Sequence, residues 1–208
     1  MATRQPAQRR DDEPAFVLHA YPYRETSLIV EAFTPNYGRV AMVARGAKRP
    51  RSETRGLLQA FQPLTLSWAG TGELKTLMKA EWRGGMPLPG GSALLAGFYV
   101  NELVLKLLPR EDAHPVLFDE YAAALAALTE RPVPAEQAAV LRRFEVRLLA
   151  ELGYALALTS QVFPDADTAS EAKRLMREVL DHHLEERRIF SRRVVRDLMA
   201  LDEEGPAT

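Results

Sequence analysis

Residues 38–46 read Gly38-Arg39-Val40-Ala41-Met42-Val43-Ala44-Arg45-Gly46, and this stretch decides how the first part of the chain folds. Val40, Met42 and Ala44 share one side of an extended chain, while Arg39, Ala41, Val43 and Arg45 share the other. Alternation with period two, closed at both ends by glycine, is the pattern of a short strand. The pattern recurs on either side. Upstream, Thr26 to Phe33 sets Leu28, Val30 and Ala32 against Ile29, and Phe16 to Ala20 is a short apolar run that stops before Pro22. Downstream, Phe61 to Ala69 groups Leu64, Leu66 and Trp68, and Leu74 to Trp82 sets Leu74, Met78 and Trp82 opposite Lys75, Leu77 and Lys79. Pro35-Asn36-Tyr37-Gly38 and Gly70-Thr71-Gly72 supply turns between runs. Five short strands between residues 15 and 83 are too few for a good sandwich. They suit a small, strongly curved barrel that closes on itself and hides its edges.

The connection from Ala47 to Ala60 is longer than a hairpin needs. By analogy with five-stranded oligonucleotide-binding (OB) barrels, a helix or long loop is expected there. Residues 84–91, Gly-Gly-Met-Pro-Leu-Pro-Gly-Gly, end the strands as a linker, and everything beyond reads as helix. Ser92 to Leu108 carries Leu94, Leu95, Phe98, Tyr99, Leu103, Leu107 and Leu108 and stops at Pro109. His114 to Leu128 repeats Leu117, Tyr121, Leu125 and Leu128 at helical spacing. Pro134 to Leu152 repeats Ala138, Leu141, Phe144, Leu148 and Leu152, with Gly153 as a C-terminal stop. Thr168 with Glu171 forms a capping box before Ala172 to Leu180, and a last amphipathic segment runs from Ser191 to Leu201. The expected fold class is therefore α+β with two domains. A five-stranded OB-fold barrel (15–83) is followed by an all-α helical domain (92–201), with flexible tails at 1–14 and 202–208.

The chain has 208 residues, 47% of them hydrophobic, and no cysteine, so disulfides, thiol nucleophiles and thiolate metal sites are excluded together. No apolar run of about 18 residues exists, and the polar start lacks the apolar core of a signal peptide, so a cytoplasmic protein is expected, without membrane partners. The net charge of −1 conceals a division. Residues 1–85 hold 13 Lys/Arg against 8 Asp/Glu (+5), and residues 86–208 hold 14 against 20 (−6). A negatively charged partner at the first end, nucleic acid being the usual one, is the resulting expectation. His182 and His183 are adjacent and point about 100° apart on a helix, and His19 and His114 have no acidic or histidine neighbours at ligand spacing. No phosphate-binding, dinucleotide-binding or nucleophile-elbow motif is present. A non-enzymatic protein with neither cofactor nor metal is expected.

The strongest local signal is Arg45-Gly46-Ala47-Lys48-Arg49-Pro50-Arg51-Ser52-Glu53-Thr54-Arg55-Gly56, with five cations and one anion in twelve residues. Interspersed small residues and proline mark an exposed loop. Cations on such a loop track a phosphodiester backbone without reading bases, and counterion release supplies the affinity. Ser52 and Thr54 add possible donors to phosphate oxygens. Arg39, Lys75 and Lys79 project from strand faces that continue the positive path, and Tyr21, Tyr23 and Tyr37 are candidates for stacking on bases. The alternative is a solvated loop on a barrel that serves as a protein-interaction scaffold. A second candidate is Leu141-Arg142-Arg143-Phe144-Glu145, where two cations flank an apolar stripe. That pairing suits an acidic, aromatic-tipped peptide in a groove between helices, or a solvated face with salt bridges.

FVLHAYPYRETSLIVEAFTPNYGRVAMVARGAKRPRSETRGLLQAFQPL, from Phe16 onward, strongly resembles the N-terminal domain of the bacterial recombination mediator family RecO. FYVNELVLKLLP, LRRFEVRLLAELGYAL, FPDADTASEAKRLMREVLDHHL and FSRRVVRDLM resemble its helical segments in the same order, so the likeness runs to about Leu201. The resemblance implies an OB fold joined to a helical domain. It further implies binding of single- and double-stranded DNA and annealing of complementary strands. It implies engagement of the acidic tail of single-stranded DNA-binding protein (SSB), and loading of RecA with RecR, RecF being an indirect partner. Carried over, the DNA contacts fall on Arg39, Arg45, Lys48, Arg49, Arg51 and Arg55, and the SSB tail falls on Arg142 first and Arg143 second. A cytoplasmic, nucleoid-associated location is implied with them. Two departures stand out. Many members hold zinc with four cysteines, which this chain lacks, so a zinc-free branch is indicated. The family also carries some tens of residues where only Ser160, Gln161 and Val162 separate Thr159 from Phe163. A stretch absent from the numbering is expected there, and the mass of the expressed protein against 23.2 kDa tests it.

Overall fold

The computed structural model describes residues 8–130 and 132–154, together with Arg174 and Glu178. It divides into two units, one of residues 1–86 with 109–115, the other of residues 87–108 with 116–208. In the first, β1 (Arg9–Tyr23), β2 (Ser27–Thr34), β3 (Gly38–Ala44), β4 (Pro63–Ala69) and β5 (Leu74–Trp82) close in the order β1-β2-β3-β5-β4. Every pairing is antiparallel except β3 with β5. That is the OB barrel. The inward positions are those the alternation selects: Val30 and Ala32, Val40, Met42 and Ala44, Leu64, Leu66 and Trp68, joined by Ala15 and Val17. Ala47 and Leu58, from the β3–β4 connection that holds the five-residue helix α1 (Glu53–Leu57), complete this core.

Three features depart from the strand readings. β1 begins at Arg9, within the stretch expected to be a loose tail, and pairs Arg9 with Ala69, Arg10 with Trp68 and Glu13 with Leu66. A bulge between Arg10 and Glu13, with Asp12 at a positive φ of 53°, interrupts the alternation and hides the strand. Hydrogen bonds replace apolar burial there. Asp12 N donates to Ser67 Oγ at 3.0 Å, and buried Glu13 accepts from Asn36 N at 3.1 Å and Asn36 Nδ2 at 2.9 Å. A second bulge lies in β5, where Ser67 faces Lys79 but Trp68 faces Leu77, leaving Met78 as the extra residue. An extra residue reverses the side to which later side chains point. Lys79 is therefore exposed, whereas Lys75, opposite the inward Met42, turns into the barrel end. The third feature is Gly38, with φ of +61°. A Cβ on it would stand 1.7 Å from the Asp112 carbonyl oxygen, so residues 109–115 approach the barrel where only glycine fits.

The second unit contains α2 (Ser92–Leu107), α3 (Pro115–Thr129) and α4 (Pro134–Leu149). Pro134 opens α4, and Glu136 Oε2 accepts from Val133 N at 2.9 Å. A π turn, Ala150–Tyr154, succeeds α4, with Gly153 at φ 89° in the stop position the sequence assigned to it. The buried stripe of α4 is Gln137, Leu141, Phe144, Glu145, Leu148 and Leu149, so Gln137 rather than Ala138 leads it. Gln137 is accommodated because its amide donates to Ser92 Oγ at 2.9 Å and to the Pro132 carbonyl at 2.8 Å. Two more polar links cross the helices: Tyr121 donates to Asn101 Oδ1 at 2.5 Å and Tyr99 to Glu145 Oε1 at 2.6 Å. The capping box at Thr168, the segments 172–180 and 191–201, His182, His183 and the junction at 159–163 lie outside the described residues.

Tyr121 is fully buried, and burial pushes its hydroxyl well above the ordinary tyrosine value. The unfolded chain releases this proton near pH 10 while the folded chain keeps it. The stabilisation is thus complete below pH 10 and is lost as pH rises beyond it. Tyr121→Phe is expected to flatten this alkaline decline and to cost about 1 kcal/mol at neutral pH through the lost bond to Asn101. Urea unfolding of both proteins from pH 8 to 11 measures each effect.

Candidate nucleic-acid interface

β3 ends where Gly46 turns the chain at φ 70°, and a series of local bonds orders the loop beyond it. Arg49 N donates to the Gly46 carbonyl and Ser52 N to the Arg49 carbonyl, both at 3.0 Å, and Arg55 N to the Ser52 carbonyl at 3.3 Å. Lys48 N donates to the Thr26 carbonyl at 2.9 Å, which ties the loop to the β1–β2 turn. With the backbone occupied in this way, Arg45, Arg49, Arg51 and Arg55 extend into solvent, and half-buried Lys48 reaches the Arg24 carbonyl at 3.4 Å. Among the described residues none of the five cations is in an ion pair. Beside them lies an open groove of about 600 Å³, lined by Tyr23, Arg24, Thr26, Arg45, Gly46 and Arg49. The Arg24 guanidinium lies over the Tyr23 ring, 5.1 Å from its centre.

The strand cations behave differently. Arg39 Nη1 contacts Glu31 Oε2 at 3.1 Å, and Arg110 holds the other Glu31 oxygen. Burial lowers the Arg39 pKa, with Glu31 opposing that shift. Lys75 is buried, with Nζ at 2.7 Å from both Glu111 Oε1 and the Gly72 carbonyl. Neither continues the positive path as strand parity had suggested. Arg39 is engaged by a cross-strand carboxylate, and Lys75 shares the inward side of β5 with Leu77, from which the bulge at Met78 separates Lys79. Lys79 remains exposed, 2.7 Å from Glu81 and 3.7 Å from Asp12, and Glu81 raises its pKa. Glu31, Phe33 and Ala41 face away from the barrel core yet are buried. Ile29, Arg39 and Val43 on the same face are half-buried, so that this face, which OB folds commonly offer to oligonucleotides, is only partly accessible. Tyr37 packs edge-on against Trp68 at 5.4 Å beneath Arg10, and Tyr21 stacks on His19 at 5.8 Å.

On α4 the two arginines separate. Arg142 is bonded to Glu145, whose other oxygen takes the Tyr99 hydroxyl, so it neutralises a buried carboxylate. Arg143 is exposed and holds Glu120 through two bonds, at 3.0 and 3.1 Å. It borders a small niche of about 70 Å³ between α3 and α4, floored by Ala124, Ala127, Val140 and Phe144. Arg143, and not Arg142, therefore borders an apolar niche. Among the described residues no group of His, Asp and Glu could hold a metal, and no helix is long and apolar enough to cross a membrane.

Residues 11–86 match the family model for the N-terminal part of recombination protein O, and residues 90–169 match that for its C-terminal part. The chain belongs to the RecO family. It is 44% identical to the DNA repair protein RecO of Dechloromonas aromatica over 92% of this chain and 97% of that protein. It is 48% identical to the RecO of Ralstonia nicotianae over 96% and 74%, and 58% identical to that of Aromatoleum aromaticum over 73% and 62%. A role in DNA repair and recombination goes with this membership. The Dechloromonas alignment runs to 235 positions and takes in 92% of this chain, about 191 of its 208 residues, so that about 44 positions of that RecO stand opposite none here. The residue that sequence reasoning passed over is Arg24. Its only signal is a cation in the turn Tyr23-Arg24-Glu25-Thr26, and the bond from Lys48 to Thr26 that brings it to the basic loop is not readable from one strand.

Proposed function

We propose that this RecO-family chain is a recombination mediator that acts by binding alone. The cationic loop 45–55 with Arg24 grips sugar-phosphate backbone on single and double strands. The observation that carries this reading is the set of five loop cations, four of them exposed, on an ordered backbone and in no ion pair among the described residues. Held by their phosphates, strands keep their base edges available, which is what annealing requires. The helical unit recruits SSB through its acidic tail, and RecR joins it in loading RecA, RecF contributing indirectly. No catalytic step or cofactor is involved. Annealing of complementary, SSB-coated strands with and without the protein tests the reading; equal rates would overturn it.

Tail recognition is assigned to Arg143, whose guanidinium exchanges Glu120 for a peptide carboxylate while an aromatic side chain enters the neighbouring niche. Arg143→Ala is expected to weaken an SSB-tail peptide about tenfold or more, as for loss of a charged hydrogen bond, with melting temperature unchanged. Arg142→Ala is expected to lower the melting temperature instead, because it strands buried Glu145. Calorimetric titration and thermal melts of both variants check the assignment.

A further inference from the structure

At the barrel end where β1 begins, β2 turns into β3 and β4 into β5, a cavity of about 110 Å³ opens that the proposed function does not use. Tyr37 and Trp68 give it aromatic walls, Val40 a floor, and Arg10 a cationic rim. Inside, Lys75 Nζ spends one N–H on Gly72 and one on Glu111 Oε1, both at 2.7 Å. An ammonium group has three donors, so one remains, and among the described residues no bond reaches Glu111 Oε2. The two charges cancel, which disfavours a bare anion and leaves a donor beside an acceptor. The guest this wall fits is neutral and planar, with an acceptor and a donor adjacent on one edge. A dry cavity of roughly 150 Å³ encloses a benzene ring, so this open one admits a single six-membered ring and not a fused pair.

We propose that this cavity takes one unpaired pyrimidine base of a bound strand. Its hydrogen-bonding edge lies between Lys75 and Glu111, its ring lies against Tyr37, and its neighbouring phosphate meets Arg10. The proposal rests on the DNA-binding reading above and adds to it a place that duplex DNA cannot fill, since a paired pyrimidine has its adjacent donor and acceptor taken up by its partner base. A base entering here is unstacked from its neighbours and held, as single-strand binders hold bases on aromatic side chains.

The chain has two tryptophans, so in Trp82→Phe the emission reports Trp68 alone. That full-length variant is titrated with single-stranded oligo-dC, oligo-dA, a blunt duplex and inorganic phosphate, with fluorescence anisotropy of the labelled DNA followed in parallel. Oligo-dC is expected to quench Trp68 saturably, oligo-dA less, and the duplex and phosphate not at all. Arg10→Ala is expected to lower oligo-dC affinity about fivefold and duplex affinity by less than twofold. Binding by anisotropy with unmoved Trp68 emission would overturn the base site while leaving the DNA reading intact. Quenching by phosphate would overturn it in favour of an anion site. No binding of either DNA form in dilute buffer would overturn both. If Trp82→Phe does not fold, wild-type protein with a strand carrying the fluorescent base pyrrolo-cytosine replaces it, and emission unchanged on binding overturns the proposal.

Discussion

Replacing Lys48, Arg49 and Arg51 together by alanine is expected to lower DNA affinity roughly a hundredfold near 50 mM salt, alike for all sequences. The slope of log affinity against log salt should become shallower by about 2 to 3, because each lost phosphate contact means one fewer counterion released on binding. Arg49 and Arg51 are exposed, and Lys48 makes only a long bond to the Arg24 carbonyl, so the fold should lose little. Fluorescence titration at several salt concentrations, with a thermal melt as control, reads both quantities. An unchanged slope with an intact fold would remove the loop from the interface. Single replacements should each show about a third of the slope change, since the slope scales with the number of phosphates neutralised.

The largest loss of stability is expected at Gly38. Gly38→Ala imposes a left-handed conformation on a residue with a Cβ, costing about 1–2 kcal/mol by itself. It also drives that Cβ to 1.7 Å from a backbone carbonyl, which cannot yield as a flexible side chain would. Residues 109–115 must then leave, taking Arg110 from Glu31 and Glu111 from Lys75. Lys75 would be left buried with only the Gly72 carbonyl, and because Glu111 is half-exposed the further cost falls below the roughly 3–5 kcal/mol typical of a fully buried pair. A fall in melting temperature of roughly 10 °C or more is the expected result at this size. A fall of under 2 °C by differential scanning calorimetry would show that the approach of 109–115 to Gly38 does not carry this weight. Asn at the same position, which tolerates positive φ, should be scarcely better, because the carbonyl excludes any Cβ.

The barrel was readable wherever alternation ran unbroken. Val40, Met42 and Ala44 point inward as their spacing requires, and the loop arginines are exposed because glycine, proline and serine leave them no face to bury against. Reading failed where an extra residue shifts the period. Asp11 and Asp12 disguise the first half of β1, and Met78 sends Lys79 to the opposite side from Lys75, with which plain alternation groups it. It failed also for partners far apart in sequence. Nothing near Glu31 announces Arg110, 79 residues on, and nothing near Arg142 distinguishes it from Arg143 until Tyr99 is found on Glu145. Helix spacing marked Leu141 and Phe144 correctly but could not rank the two arginines beside them, because that ranking depends on which carboxylate each one meets.

Residues 109–115 stand in the chain between two helices yet belong with the strands. The two family segments, by contrast, meet between residues 86 and 90. A gene cut at that junction would produce a barrel deprived of Arg110, Glu111 and Asp112. Chimaeras that exchange one half between relatives would have to carry this short return as well. The barrel is therefore not encoded by one continuous stretch of chain, and substitutions at Glu31 or Gly38 are expected to require answering ones at Arg110 or Asp112.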